Sequence, residues 1–424
     1  MLKMLLQKQN IEKLDKKKVN RYWKPNPYYE QLQNKIPIKT KIPIPKPTDY
    51  INSRKIRIYP STEQKNLFNK FLGANRHFFN KTNHYIKEEV DDKKRYNHYY
   101  MRQKMFEDQQ HWYNEIPYDN KSLAIKQCIT AYKSAFENQK QGHIDHFDIG
   151  FLSKKQTTQV CYLRKNAYNF NKNYIFPRTL NKHKKLRIKE FLKETTCSDL
   201  VLLKIKPGIW YLCIPYKDNT STHSPSIYKN VFIDPGIRTF LTCYNPENNT
   251  YKKLGNHFTD ELLPLGKRVD KLISVRTDAK GRTKYNLSKR ICKLRYHIKN
   301  KTTNLHWQTC NYLTTNYQNI FLPHLDTIEI SDHIKSNISN ETVRKMMMLS
   351  HGYFRTKLEH AVKIKQRSLF YIPEAYTTKT CPKCGHENDI GALKVHTCVA
   401  CDYRGDRDNT GALNICISTL LRTN

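Results

Sequence analysis

The apolar residues of this chain recur with two different periods, and the switches between them mark its elements. Lys55-Ile-Arg-Ile-Tyr-Pro60 alternates as a strand and stops at proline, which has no amide to donate to a ladder. Ser61 with Gln64 then makes a capping box, in which each side chain satisfies an amide left over at the first turn of a helix. Leu67, Phe68, Phe71, Leu72, Asn75, Phe78 and Phe79 follow at helical spacing, and the helical pattern persists to about Lys140. A period of two returns through Phe147 to Phe151, Tyr174 to Phe176 and Val201 to Pro215. A helical insert, residues 61–143, is thereby bracketed by the strands of one small β-domain, residues 49–60 and 144–225.

A second boundary falls near Tyr228. Val231 to Asp234 predicts a buried strand, Pro235-Gly236 a turn, and the residues to Cys243 a second strand. Residues 261 to 317 are helical and dense in Lys and Arg, Ile320 to Leu322 is a short buried strand, and Thr342 to Ile364 predicts one helix. Ser368 to Ile372 is a further strand running into Glu374. Strands alternating with helices predict a largely parallel sheet, with functional groups at the carboxyl ends of its strands. Asp234 and Glu374 both stand at such ends. A carboxylate closing an apolar strand is costly unless it is paired or bound to a cation, although an Asp feeding a turn is also common. Residues 1 to about 48 predict a flexible basic arm, with Lys16, Lys17 and Lys18 followed by prolines spaced for extended backbone from Asn34 to Pro47.

Composition then names the class of partner. Among 424 residues there are 75 Lys+Arg against 37 Asp+Glu, a formal net charge of +38, with 28 Tyr interleaved. Charge of that size calls for a polyanion, and aromatics among cations suit stacking on bases. No basic amphipathic helix stands out to favour a membrane surface, and the short apolar run at the start does not predict a signal peptide. Of the 12 cysteines, eight are scattered singly, which predicts reduced thiols and an intracellular protein of nucleus or cytoplasm, not a secreted one.

The other four cysteines are paired. Cys381 and Cys384, then Cys398 and Cys401, form two CxxC turns separated by thirteen residues, with Gly385 placed for a tight knuckle. This is the spacing of a zinc ribbon, in which four thiolates close a tetrahedral shell and leave no open position for water, so the zinc is structural. His386 and His396 lie close by, and the all-cysteine shell is preferred to a mixed one. Asp408 follows the ribbon and opens Asn-Thr-Gly-Ala-Leu-Asn-Ile, whose small residues suit a helix packed closely on a sheet. Three carboxylates, Asp234, Glu374 and Asp408, in a basic protein fit two-metal phosphodiester hydrolysis with Mg2+, which takes oxygen ligands.

Five segments together carry a resemblance: 55–81 (KIRIYPSTEQKNLFNKFLGANRHFFNK), 208–215 (GIWYLCIP), 233–240 (IDPGIRTF), 376–385 (YTTKTCPKCG) and 406–415 (DRDNTGALNI). Over Lys55 to Ile415 the chain resembles the TnpB/Fanzor family of transposon-encoded nucleases, relatives of type V CRISPR effectors. The resemblance implies an α+β, multidomain protein: an RNase H-like (RuvC) nuclease core at 226–376 and 405–424, interrupted by the zinc ribbon at 377–404. A wedge β-barrel carrying a helical recognition insert precedes it. It also implies a guide RNA from the protein's own locus that directs cleavage of target DNA, with one monomer per RNA. Bacterial members usually carry the second catalytic Glu where this chain has Pro323, and Pro where it has Glu374. The exchange is a feature of the Fanzor branch. Asp326 and Glu329 stand as substitutes for Glu374, and the family match places the metal ligand on Asp408 rather than Asp406.

The expected function is an RNA-guided, metal-dependent DNA endonuclease of a mobile element. A non-cleaving nucleic-acid-binding regulator on the same fold and a DNA transposase are the alternatives. The helices of 61–143 and the segment 267–301 are expected to line a channel for an A-form heteroduplex. Arg57, Arg76, Lys289, Arg290 and Arg295 are its candidate phosphate contacts.

Overall fold

The computed structural model describes residues 51–108, 110–169, 174–175, 186–188, 198–206, 208–217, 226–323, 339–372, 379–391 and 393–422. The arm expected over residues 1–48 lies outside them. The chain divides into two compact units, one of Asp49–Asn219 and one that includes Thr220–Asn424.

In the first unit, strand β1 (Ile51–Tyr59) leads into helix α1 (Thr62–Glu88). The capping box is formed: the Gln64 amide donates to Ser61 Oγ (3.2 Å) and the Ser61 amide donates to Gln64 Oε1 (2.9 Å). Helices α2 (His98–Phe106) and α3 (Tyr118–Lys140) follow. Then come β2 (Thr158–Leu163), the short hairpin β3 (Tyr168–Asn169) and β4 (Tyr174–Ile175), β5 (Arg187–Ile188), β6 (Leu200–Ile205) and β7 (Ile209–Lys217). One antiparallel sheet has the order β2-β6-β7-β1-β5. Alternation along β1 points Ile56 and Ile58 inward, where Leu202, Leu212 and Ile214 join Phe68, Phe71 and Leu72 of α1 in one core. The second half of α1 buries Phe78, Phe79 and Ile86 against Met101 and Met105 of α2 and Ile125, Cys128 and Ile129 of α3.

Residues Phe147 to Phe151, expected as a strand, are not one. They lie along α1, where Asn83 Nδ2 donates to the Ile149 carbonyl (2.8 Å). Asn80 holds both backbone groups of Leu152, its Nδ2 donating to the carbonyl (3.0 Å) and its Oδ1 accepting from the amide (2.7 Å). Helix side chains thus satisfy a backbone that a neighbouring strand would otherwise pair. Phe147, Ile149 and Leu152 pack on the helical core, whereas Phe151, which completed the alternation, is exposed.

The second unit opens with β8 (Tyr228–Pro235), β9 (Thr239–Asn245) and β10 (Thr250–Asn256), then α4 (Phe258–Asp278) and the 36-residue α5 (Gly281–Asn316). After β11 (Tyr317–Pro323) come α6 (Asn340–Leu349), α7 (His351–Ile364) and β12 (Ser368–Ile372). The hairpin β13 (Val395–Thr397) and β14 (Arg404–Asp406) runs into α8 (Arg407–Arg422). The sheet order is β10-β9-β8-β11-β12. It is mixed, not largely parallel: β8, β11 and β12 pair in parallel, whereas β9 pairs antiparallel with both β8 and β10. The connections around Pro235-Gly236 and between Asn245 and Thr250 are too short for the crossover that parallel neighbours need.

Both faces of this sheet are covered. Val231, Ile233 and Phe240 pack with α5, α6 and α7, while Phe232, Tyr244 and Ile372 pack with Ala412, Leu413, Ile415 and Cys416 of α8. The single helix expected over 342–364 is broken at Ser350, whose φ of 51° and ψ of 54° end α6 in the left-handed conformation. Among the described residues, no helix is long and apolar enough to cross a membrane.

Candidate active site and metal centre

Asp234 closes β8 and is 7% exposed, opposite Thr242 of β9 in the ladder. With a side-chain period of two it shares the face of Phe232, the face covered by α8. The backbone turns immediately afterward. Gly236 donates its amide to the Phe240 carbonyl (3.1 Å), and a Cβ at Gly236 would stand 2.6 Å from the Thr239 carbonyl oxygen, so only glycine fits.

Asp408 lies in the first turn of α8 and is half-buried. Its neighbour Asp406 has another task. Asp406 Oδ1 accepts the amides of Asp408 (3.1 Å) and Asn409 (3.0 Å), and its Oδ2 pairs with Lys253 of β10 at 2.8 Å. Partial burial works against its charge, yet Lys253 and these amides hold the carboxyl below its ordinary range. Asp406 is therefore a helix cap. Beside Asp408, the buried Asn409 Oδ1 finds no donor among the described residues. Asp408 thus opens the helix that packs over the Asp234 face, and carboxylates are ligands that a hard divalent cation takes.

Glu374 lies outside the described residues, as do Asp326 and Glu329. Strand β12, which leads to Glu374, is described. It pairs in parallel with β11, Pro323 opposite Ile372, so the strand that ends in Pro323 and the strand that leads to Glu374 are neighbours.

Two histidines that no sequence pattern singled out lie behind Asp234, one bonded to the turn that follows it and the other to the end of α6. His351 Nε2 donates to the Gly236 carbonyl (3.2 Å) and His306 Nε2 to the Leu349 carbonyl (2.8 Å), while Lys357 Nζ donates to His306 Nδ1 (3.2 Å). Both rings stack on Phe240, at 4.9 Å and 5.3 Å between centroids. They belong to a stretch read as one regular helix and to a Lys-rich helix, and their signal exists only in three dimensions. Burial first, against weaker help from the carbonyls, pushes both imidazoles down to about 4. Both are neutral when folded and regain protons when unfolded below the ordinary value near 6.5. Stability from this pair is therefore fully present above about pH 6.5 and lost as pH falls toward 4, at up to roughly 1.4 kcal/mol per pH unit for each ring. The unfolding temperature should fall between pH 7 and pH 5, and fall less for the H306Q/H351Q variant; a wild-type value flat over that range would contradict the assignment.

The four paired cysteines are the group of three or more potential ligands that forms among the described residues. Their sulfurs all lie within 4.8 Å of one another, with Cys381–Cys401 and Cys384–Cys398 each at 3.6 Å. That is close to the ~3.8 Å edge of a tetrahedron with metal–sulfur bonds of about 2.3 Å, and far beyond a disulfide. Each knuckle is built by backbone. Gly385, at φ 78°, donates its amide to the Cys381 carbonyl (2.9 Å), and the Cys398 amide donates to the Tyr403 carbonyl (3.0 Å). The Ala400 amide points at Cys398 Sγ (3.4 Å); against burial, it helps bring that thiol down to about 7. Neither histidine joins the group. His396 is fully buried, with Asn388 Nδ2 3.3 Å from its Nε2.

The candidate phosphate contacts fall in different settings. Arg57 lies on the solvent-side face of β1 with its guanidinium 5.3 Å from the Tyr211 ring and 5.4 Å from Tyr59, and its buried Nε has no acceptor among the described residues. Lys55 stands 4.4 Å over the same Tyr211. Arg76 is half-buried on α1, whereas Lys289, Arg290 and Arg295 are exposed along α5.

Two family models match in chain order, a helix-turn-helix domain over residues 51–95 and the Cas12f1-like TNB domain over 351–415. The first covers β1 and the single helix α1 here, with no second helix before His98. "Putative transposase R186" of Acanthamoeba polyphaga mimivirus is 31% identical over 60% of this chain and 58% of its own length, so the match spans less than two thirds of that relative. "TnpB-like protein L79" of the same virus is 26% identical over 87% of this chain and 74% of its own length. The chain belongs to the TnpB-like transposase family. A cryo-EM structure of the Cas12f1-sgRNA-target DNA complex aligns with the TnpB-like chain at a TM-score of 0.47 and 13% identity, covering 92% of this chain and 86% of that one. The TNB match of this TnpB-like protein spans α7, β12, the four cysteines and the first turns of α8.

Proposed function

We propose that this TnpB-like chain is an RNA-guided, metal-dependent DNA endonuclease, in the Fanzor branch of its family. The observation that carries the reading is the buried Asp234, at the carboxyl end of the central strand, on the face packed by the helix whose first turn holds Asp408. The sheet order, three antiparallel strands followed by two parallel ones on the far side of β8, supports an RNase H-like core. Glu374 is the third acid, reached through β12. Bound there, Mg2+ would activate the attacking water and stabilise the leaving oxygen. Asp234 and Asp408 hold the ions and His351 fixes the turn behind Asp234, while the basic helices bind the phosphates of guide RNA and target DNA. The four cysteines hold one structural zinc. The domain limits at 49–60 with 144–225 for the wedge barrel, 61–143 for the recognition helices and 377–404 for the ribbon belong to the same reading.

The test is guidance. The purified protein should bind a structured RNA from its own locus far more tightly than generic RNA of equal length, with affinity falling steeply as salt rises. DNA should be cut only when that RNA carries complementary sequence. Cutting of the same DNA at the same rate without RNA would sink guidance and leave only the nuclease, and joined DNA ends in place of cut ones would favour strand transfer.

A further inference from the structure

An open cleft of about 640 Å3 on the helices of the first unit is lined by Lys94, Asn97, Tyr99, Tyr100, Arg102, Gln103, Phe106 and Tyr118. It is distinct from the acids and from the basic face of β1. Tyr99 and Arg102 are three residues apart on α2 and so share a side, and Tyr118 opens α3. The Arg102 guanidinium lies 5.2 Å from the Tyr99 ring and 5.6 Å from the Tyr118 ring. These rings are 72% and 50% exposed, although a tyrosine in a packed helical layer would ordinarily turn its face inward. Phe106 braces Tyr118 edge-on at 5.3 Å.

The charged lining is wholly cationic. Arg102 has no carboxylate partner among the described residues, and Asp92, close by in the chain, is occupied by Tyr85 Oη (2.9 Å) and the Lys94 amide (2.9 Å). A methylated cation, the usual guest of clustered aromatics, is repelled by Arg102 and Lys94. An acidic peptide would use the cations and waste two exposed ring faces. A nucleotide uses both.

We propose that this cleft is a stacking site for an unpaired nucleotide of a nucleic-acid strand. The base lies on the Tyr99–Arg102–Tyr118 surface, its phosphate is held by Lys94 and Arg102, and the Gln103 amide lies within the cleft to meet the base edge. The proposal goes beyond the nuclease reading and does not require cleavage, so its test is run without added divalent metal. Because Tyr99 and Tyr118 are exposed, their substitution leaves the core intact.

Fluorescence anisotropy with the full chain at one fixed salt concentration would use labelled oligo(dT), labelled oligo(U) and blunt duplexes of the same length. Y99A/Y118A should lose about tenfold or more in affinity for a single strand and stay within about twofold for blunt duplex. Y99F/Y118F, which keeps both rings, should bind like the wild type. A loss confined to oligo(U) or to oligo(dT) supports the site and assigns its occupant to RNA or to unwound DNA. Equal losses on single strands and duplex, no loss on either, or a phenylalanine variant as weak as the alanine one would overturn the proposal. The binding comparison does not depend on Asp234, and guided cleavage by the wild type with Mg2+ tests the nuclease reading separately, so either can fail without the other.

Discussion

Asp234→Ala should reduce guided DNA cleavage by roughly 10^4-fold or more while leaving RNA and DNA binding within about twofold. The carboxylate is buried at the end of an apolar strand, where its charge is tolerable only beside a partner or a cation, and the basic surfaces proposed to hold nucleic acid lie on other elements. Asp408→Ala should match it. Asp406 supplies the control: as the cap of α8 and partner of Lys253, its replacement by asparagine keeps the capping oxygen and should leave most activity. Single-turnover cleavage beside a binding isotherm decides the matter. An active Asp234→Ala, or an Asp406→Asn as dead as Asp408→Ala, would move the metal site elsewhere.

Cys398→Ser should take bound zinc from about one per chain to a small fraction and unfold the ribbon. Its sulfur lies 3.6 Å from Cys384, and among the described residues the ribbon's strands are two of three residues each. So small a fold is held by its metal, whose binding free energy in comparable sites is about 10–16 kcal/mol at neutral pH. Elemental analysis should show the loss, and limited proteolysis should open sites between residues 379 and 406. His396→Ala should retain zinc, since that ring is outside the sulfur group. Full zinc in the Cys398→Ser protein would mean that a different set of ligands holds the ion.

Signals confined to a few adjacent residues were legible in the sequence, and those created by packing were not. The Ser61–Gln64 box, the strand at Ser368–Ile372 and the two CxxC knuckles each depend on neighbours in the chain, and each appears where the residues place it. Asp234 at a strand end and Asp408 in a first helical turn follow from the same local logic. The convergence with Glu374 that the proposed mechanism requires is not a local signal, since it depends on how helix and sheet ends meet. The Phe147–Phe151 alternation was misleading because apolar residues lying along a helix can mimic a strand. The break falls at Ser350, two residues before Gly352, and a serine in the left-handed conformation is not a signal that a helical pattern carries. His306 and His351 sit in ordinary helical sequence and become noteworthy only when Phe240 brings them together.

Strand β14 ends at Asp406 and helix α8 begins at Arg407, with no residue between the ribbon's hairpin and the turn that bears Asp408. Lys253 fastens that junction to the sheet through Asp406. Hairpin and helix start therefore belong to one cooperative opening unit, whose amides should exchange with solvent together. Mild chelation would raise exchange over residues 395–410 and disorder the turn bearing Asp408 well before the rest of the sheet opens, so the ribbon would act as a thermodynamic clamp on that acid through the Asp406 cap.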